Sequence, residues 1–544
     1  MMDFNALAEL LFPDVDKSPD YYEKLYPERD LPEGAKVTRF APSPTGFVHF
    51  GGLYPVLVSE RLAHQSGGVL YLRIEDTDAK RAVEGAEYDL IKVFRDFGIN
   101  FDESVEKEGA YGPYRQSERR EIYRTYAKEL VKNGKAYPCF CTEKEMQELR
   151  EKQEAQKATP GYYGEYVKCR DLTIEEVKER LDKGLPYVLR LRSEGNPDNK
   201  IKFTDLIKGT IEVTENHIDH VLLKSDGMPT YHLAHAVDDH LMRTTHVVRG
   251  EEWLSSLPYH IQLFKALGFK LPKYLHISQL MKKEGDSKKK LSKRDKGAGM
   301  SDYISDGYPT ESVVEYVMIL LNSNFEDWRR ANPEGNINDF PFSIKKMSPS
   351  GSLFDLVKLG DVSKNTVSRM TAEQVYQRLT KWAEEFDKEF YQVLSRDEEY
   401  TKSILQIGRG GNKPRKDLET WKDAKGYMGF FYPEYFEYID KIEGFDKSDI
   451  IACLDGFAES YDENDPQDVW FEKIKGVGEK NGFCPNIKEY KANPDGWKGN
   501  VGDVSSFIRA AVTGKLNSPD LCAVMKILGK DESIKRINKF KETL

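Results

Sequence analysis

The stretch from Val37 to Asp78 constrains this chain more than any other. Val37 to Phe40 is a short apolar-rich run that suits a buried strand, and a loop carrying Pro42, Pro44 and Gly46 halts it. From Gly51 to Gln65 the apolar residues Leu53, Val56, Leu57 and Ala63 recur at helical spacing, Gly67 and Gly68 end the helix, and Val69 to Ile74 start a second strand. A loop feeding a helix N-terminus leaves backbone N–H groups unpaired at the positive end of the helix dipole, a geometry that favours a phosphate. His49, Gly51 and Gly52 sit at that junction, where glycine lets a ligand approach the backbone and an imidazole can hydrogen-bond a phosphoryl oxygen. Taken alone, the four residues His49-Phe50-Gly51-Gly52 fit a glycine-rich turn with a surface histidine better.

Two separated motifs narrow the choice. The segment RFAPSPTGFVHFGG (Arg39 to Gly52), followed by LRIEDTD (Leu72 to Asp78), resembles the ATP-binding HIGH region of bacterial-type glutamyl-tRNA synthetases, which are class I aminoacyl-tRNA synthetases. Far downstream, Lys290-Leu291-Ser292-Lys293-Arg294 resembles the second ATP motif of that family, KMSKS. The resemblance implies a Rossmann-like α/β nucleotide-binding domain, an inserted α+β domain for the tRNA acceptor stem, and an all-α anticodon-binding region.

The whole chain is compatible with that. At 544 residues it needs two to four domains, and no apolar run approaches the roughly 18 residues of a membrane span. The first residues carry acidic groups and no basic stretch ahead of an apolar core, so no secretory signal is expected. Six cysteines give no disulfide framework and point to a reducing cytoplasm. A net charge of −10 argues at first against a nucleic-acid partner, yet Lys282, Lys283, Lys288, Lys289, Lys290, Lys293, Arg294 and Lys296 form one local basic cluster. A solvated charge run is the ordinary reading of such a cluster. Its place just after a strand favours triphosphate binding.

Read in order, residues 1–35 form an N-terminal extension and 36–135 the first half of the catalytic domain, with helices expected at Glu84 to Gly98 and Gln116 to Lys132. Residues 136–220 form the inserted domain, with β-like runs between Leu185 and Val213. The catalytic domain resumes over 221–345, through strands at His220 to Lys224, Thr245 to Arg249 and Tyr274 to Met281, and helices at Pro229 to Met242 and Ser255 to Gly268. Beyond it, 346–544 is expected to be helical, starting with a helix at Ser350 to Leu359.

Cys139, Cys141 and Cys169 could hold a structural zinc ion as thiolates, with a fourth ligand required. Tyr163 is the first candidate for that position and Asp171 the second. Three reduced cysteines without metal are the alternative.

The resemblance also assigns roles. His49, the amides of Gly51 and Gly52, Lys290 and Lys293 would stabilise charge as a carboxylate attacks the α-phosphate of ATP, which arrives with Mg2+; the attacking group is already an anion and needs no base. Glu252, Leu291 and Ser292 complete the ATP set. Arg249 would pair with the side-chain carboxylate of L-glutamate as a two-pronged donor. Arg39, Ala41, Ser43, Tyr231 and His235 would surround the amino acid, and Glu75 is available for its ammonium group. Arg39 could instead be a structural partner of Glu75.

The implied activity is ligation of glutamate to tRNA(Glu) by a cytoplasmic monomer with no membrane association. Alternatives are an enzyme that also charges tRNA(Gln), a glutaminyl enzyme, and a non-catalytic tRNA-binding paralogue. The APSPTG and RIEDTD runs and the helical C-terminal region argue against the glutaminyl enzyme.

Overall fold

The computed structural model describes residues 2–44, 48–78, 83–285, 287–291, 299–411 and 414–544. The sequence expectations at Ser292 and Lys293, and at Arg294 and Lys296, lie outside those residues. The chain forms two compact units, Met1–Ser301 with Val317–Asp355, and Asp302–Tyr316 with Leu356–Leu544.

In the first unit, β1 (Val37–Phe40) and β2 (Val69–Leu72) pair in parallel through the helix Phe50–His64, a right arrangement for a strand–helix–strand crossover. Phe50, Leu53, Val56, Leu57 and Val58 of that helix are fully buried; side chains of this size each contribute about 1.5–3 kcal/mol on burial. Its last residue, His64, lies 2.9 Å from both Glu60 and Asp102, and the imidazolium that these carboxylates favour suits the negative end of the helix dipole.

The antiparallel part comprises β3 (Ala136–Cys139), β4 (Val188–Leu191) and a hairpin of β5 (Lys200–Asp205) and β6 (Gly209–Thr214). β7 (Val221–Leu223), which opens the resumed catalytic half in the sequence reading, pairs with β4 and so completes the antiparallel sheet instead of joining the parallel one. The pattern of apolar residues could not fix that choice, because a three-residue buried strand reads the same in either sheet.

The helix Tyr231–Leu241 then leads to a second parallel pair, β8 (His246–Gly250) and β9 (Lys273–Ile277), joined through the helix Leu257–Leu267. β8 runs beside β1, with the Thr245 N–H donating to the Val37 carbonyl at 3.0 Å.

Past β9 the structure departs from expectation. The lysine-rich stretch is a hairpin of β10 (Met281–Glu284) and β11 (Ser287–Lys290), turned at Gly285 with φ +60°. Lys282 faces Lys289 and Lys283 faces Lys288 in its register. The like charges of Lys282 and Lys289 disfavour that register, and the backbone ladder with the 2.6 Å Lys289–Glu284 ion pair outweighs them. The Ser350 to Leu359 segment is also not one helix: Leu353 bridges Met281, and helix begins at Leu356.

The second unit is helical, as expected from the sequence, with long helices at Leu356–Arg369, Ala372–Phe386, Lys447–Ser460, Gln467–Lys480, Val501–Thr513 and Lys530–Thr543. Their amphipathic faces close on one core that includes Leu379, Phe390, Ile404, Leu454, Ile474, Phe507 and Ile537. Among the described residues no helix is long and apolar enough to cross a membrane.

Candidate active site

The four parallel strands of the first unit end on a common set of loops, and ligands of open α/β sheets bind at such carboxyl ends. The Phe40 carbonyl accepts from the Arg73 N–H at 3.0 Å and the Pro42 carbonyl from the Glu75 N–H at 2.9 Å. The loop bearing Ala41 and Ser43 is thereby held along the one bearing Glu75.

His49 is the N-cap of the helix Phe50–His64, and its Nδ1 accepts the Gly51 N–H at 2.8 Å. A neutral ring bonded in this way carries its proton on Nε2, the nitrogen able to donate. The Gly52 N–H donates to the His49 carbonyl at 2.7 Å. Both glycine amides, which the sequence aims at a phosphate, are hydrogen-bonded to His49 here. Gly51 still matters sterically: a Cβ there would lie 2.8 Å from His49 Nδ1.

The second motif approaches the first. Gly299 bridges His49 in antiparallel fashion, and the Met300 N–H donates to the Val48 carbonyl at 3.0 Å. On the near side of residues 292–298, Lys290 ends the exposed hairpin, and buried Leu291 donates its N–H to the Leu280 carbonyl at 2.9 Å. Glu252 is exposed at the end of β8 and accepts from Gln279 at 3.3 Å.

Beside these groups lies a buried ionic network that sequence reading missed. Arg73, fully buried, reaches Asp239 at 2.7 Å, Glu75 at 3.1 Å and Asp238 at 3.6 Å. Asp238 also accepts from Arg119 at 2.7 Å, Tyr123 at 2.8 Å and Gln116 at 2.9 Å. Arg39 pairs with Asp239 at 3.4 Å; its carboxylate partner is Asp239 and not Glu75, which Arg73 occupies. Burial alone would push Asp239 up, but Arg39, Arg73 and His235 hold it well below the usual carboxylate range. Burial pushes Glu75 the other way, up to about 7, against the pull of Arg73 and Arg39. The one available signal was a pair of consecutive acids, Asp238 and Asp239, inside an otherwise apolar helical stretch.

Arg249 differs from Arg39, Arg73 and Arg119. It is 5% exposed, and among the described residues no carboxylate pairs with it. Its Nε donates to His276 Nε2 at 2.9 Å, its Nη1 to His260 Nδ1 at 3.0 Å, and its Nη2 is buried with no partner among the described residues. Its guanidinium lies 4.4 Å over the Tyr274 ring. A buried guanidinium with an unsatisfied N–H edge is costly unless an anion arrives.

Tyr231 and His235 share a helical face, as their spacing requires, and stack in parallel with centroids 5.6 Å apart. Trp253, not singled out from the sequence, packs on Tyr231 at 4.4 Å. His235 is fully buried, with Nε2 3.0 Å from the Tyr274 hydroxyl and Nδ1 2.7 Å from Asp239, and burial lowers it to about 4.

Cys139, Cys141 and Cys169 bring their sulfur atoms within 4.8 Å of one another, with Cys141 and Cys169 3.7 Å apart. Hydrogen bonds from Cys141 and Cys169 hold Cys139 well below the usual thiol range. Tetrahedral zinc–sulfur bonds of about 2.3 Å put neighbouring sulfurs about 3.8 Å apart, so the donor set fits that metal. The fourth candidate needs correction. The Tyr163 hydroxyl donates to the Thr159 carbonyl at 2.7 Å, and Asp171 is taken by Arg192 at 2.9 Å. Tyr162 instead lies 3.4 Å from Cys141 and accepts the N–H groups of Lys168 and Cys169. Adjacent tyrosines cannot be told apart by spacing alone; only the one on the buried side of the turn reaches the sulfurs.

Comparison with known proteins agrees with this architecture. Residues 36–359 match the family of class I tRNA synthetases (E and Q), catalytic domain, and residues 496–541 match an anticodon binding domain. A glutamate–tRNA ligase of Clostridium beijerinckii is 49% identical over 551 residues, spanning 99% of this chain and 100% of the relative. That of Sorangium cellulosum is 44% identical, spanning 98% and 100%. The crystal structure of a glutamate tRNA ligase from Elizabethkingia meningosepticum in complex with its amino acid aligns with a TM-score of 0.75 at 31% identity, covering 94% of this chain and 99% of that one.

Proposed function

Because the chain belongs to the glutamate–tRNA ligases, class I tRNA synthetases, we propose that it joins L-glutamate to tRNA(Glu) in an ATP-dependent reaction through a glutamyl adenylate, releasing AMP and pyrophosphate. The observation that carries the choice of amino acid is Arg249, buried, without a carboxylate partner among the described residues, and with an unsatisfied Nη2. A substrate side-chain carboxylate supplies both the charge and the acceptor that this edge lacks, whereas an amide supplies only the acceptor.

The α-carboxylate of glutamate attacks the α-phosphorus of ATP, a bond forms from its oxygen to phosphorus, and the bond to pyrophosphate breaks. No proton moves in that step. The chain's work is therefore positioning and charge stabilisation. His49, Lys290 and Lys293 are the groups assigned to the phosphates, with Gly51, Gly52, Glu252, Leu291 and Ser292 shaping the nucleotide site; Mg2+ carried by ATP would add positive charge at the phosphates. Glu75 receives the substrate ammonium, and Arg39, Ala41, Ser43, Tyr231 and His235 enclose the rest. In the second step the terminal ribose hydroxyl of the tRNA attacks the carbonyl carbon, its proton is released, the carbon–oxygen bond to the phosphate breaks and AMP leaves.

The same reading gives residues 136–220 to the acceptor stem and 346–544 to the anticodon region; Cys139, Cys141, Cys169 and Tyr162 would hold Zn2+, which would stiffen the former. The protein works as a cytoplasmic monomer.

The test is aminoacylation of purified tRNA(Glu) and tRNA(Gln) in parallel, with labelled glutamate or glutamine, ATP and Mg2+ at low salt. Glutamate on tRNA(Glu) is expected, with Lys293→Ala losing adenylate formation while tRNA binding persists. Glutamate on both tRNAs identifies a non-discriminating enzyme. No charging by protein that still binds tRNA overturns the proposal.

A further inference from the structure

Arg39, Arg73 and Arg119 are held by acids, and Arg249 is held by histidines. His276 is its register partner across the β8–β9 pair. The Arg249 Nε–H donates to His276 Nε2, so that nitrogen carries no proton, and His276 Nδ1 lies 2.7 Å from Asp205. Asp205 also accepts the N–H groups of His276 at 3.1 Å, Ile207 at 2.9 Å and Lys208 at 2.8 Å, which fixes the carboxylate and, through it, the tautomer of the ring.

The second acceptor follows the same logic. Arg249 has no lone pair to offer, so its Nη1–H donates to His260 Nδ1, leaving the His260 proton on Nε2, 2.8 Å from His232 Nδ1. Both rings are shut away from water, and burial keeps both in the neutral form. Two sides of the guanidinium are thus saturated by uncharged acceptors, and the third remains.

We propose that His276 and His260 are positioning residues that set the enzyme's selectivity for glutamate, by fixing the Arg249 fork without cancelling its charge. This rests on the assignment of Arg249 to the substrate's side-chain carboxylate. An acid at either position would orient the arginine equally well, as Asp238 orients Arg119. It would also neutralise it, and a neutral pocket has no electrostatic reason to prefer a carboxylate to an amide. Asp205 is kept one imidazole away, so it orients the ring without pairing with the guanidinium.

The experiment uses the full chain with tRNA(Glu) and compares wild type, His260→Gln, His260→Glu, His276→Gln and Arg249→Gln. It reads kcat, the KM for glutamate and for ATP, inhibition by glutamine, and the melting curve of each variant. Glutamine at either position retains a neutral acceptor, so His260→Gln and His276→Gln are expected to keep the glutamate KM within about fivefold. His260→Glu is expected to raise the glutamate KM about a hundredfold and to compress discrimination against glutamine about tenfold or more, with the ATP KM unchanged. A folded His260→Glu enzyme that matches His260→Gln in glutamate KM and discrimination overturns the proposal. Should His260→Glu not fold, His260→Phe is read in its place: a rise of about tenfold in the glutamate KM alone supports the proposal, and parallel changes in both KM values, or none, overturn it. Arg249→Gln separates the two levels, since an unchanged glutamate KM in that variant rejects the site assignment itself.

Discussion

His49 Nδ1 accepts the N–H of Gly51 at 2.8 Å, so one side chain both caps the helix and aims its other ring nitrogen away from the helix end. Only glycine at 51 leaves room for this, because a methyl group would sit 2.8 Å from the ring nitrogen. Gly51→Ala is therefore expected to displace the imidazole and lower kcat for adenylate formation by about tenfold or more, roughly 1.4 kcal/mol in the barrier, with little change in glutamate KM. ATP–pyrophosphate exchange in the presence of tRNA measures it. An unaltered rate would remove His49 from the chemistry.

Glu75 should make glutamate binding pH-dependent. Burial raises its carboxyl to about 7 in the free protein, and a substrate ammonium lowers it again, so the complex holds fewer protons than the free form below that pH. Affinity then rises with pH, by at most about tenfold per unit, from about pH 5 to about pH 7, and levels off above. The sign for stability is opposite: with a folded value above the unfolded one, the free protein loses stability as pH rises through this window. Calorimetric titration across pH is the check, and Glu75→Gln should flatten the profile.

His64 offers a stability test remote from the chemistry. Hydrogen bonds to Asp102 and Glu60 raise it to about 9, above its ordinary 6.5. The stabilisation is fully present below about pH 6.5 and is lost as pH rises through about 9. The ring is 35% exposed, so solvent screening reduces its worth to about 1–2 kcal/mol. Denaturant melts of His64→Gln should show that deficit at pH 6 and almost none at pH 10.

One zinc per chain is expected after chelator washing, lost in Cys141→Ser and Cys169→Ser and weakened in Tyr162→Phe. Tyr163→Phe should retain it, as that hydroxyl is engaged by Thr159. Metal analysis decides this, and stoichiometric zinc retained by Cys141→Ser would discard the site.

Much was legible in the residue order. The helix expected from Gly51 to Gln65 forms at Phe50–His64, and the strand at Val37–Phe40 forms with those bounds, because a glycine pair and a proline-rich loop punctuate them. The lysine-rich segment was read as a loop and is a hairpin up to Lys290, since its apolar pattern is too sparse to reveal alternation. The sequence offers Tyr163 and Asp171 for the fourth zinc position and Glu75 as a partner for Arg39, whereas Tyr162 lies beside Cys141 and Asp239 beside Arg39. Each of these depended on which neighbour a side chain meets, not on its own character.

The sequence by itself determined the strand–loop–helix–strand opening and the helical C-terminal region, because these rest on local backbone preference and periodic burial within short windows, while the two separated ATP motifs were legible through their resemblance to a known family. Only the tertiary structure decided how charges are paired. Asp205, Arg249, His260 and His276 span 72 positions of sequence, and they meet because β5, β8, β9 and the helix Leu257–Leu267 pack together. Side-chain electrostatics depends on distances and dielectric that no linear spacing encodes, so the arginine left without an acid became visible only once the chain was folded.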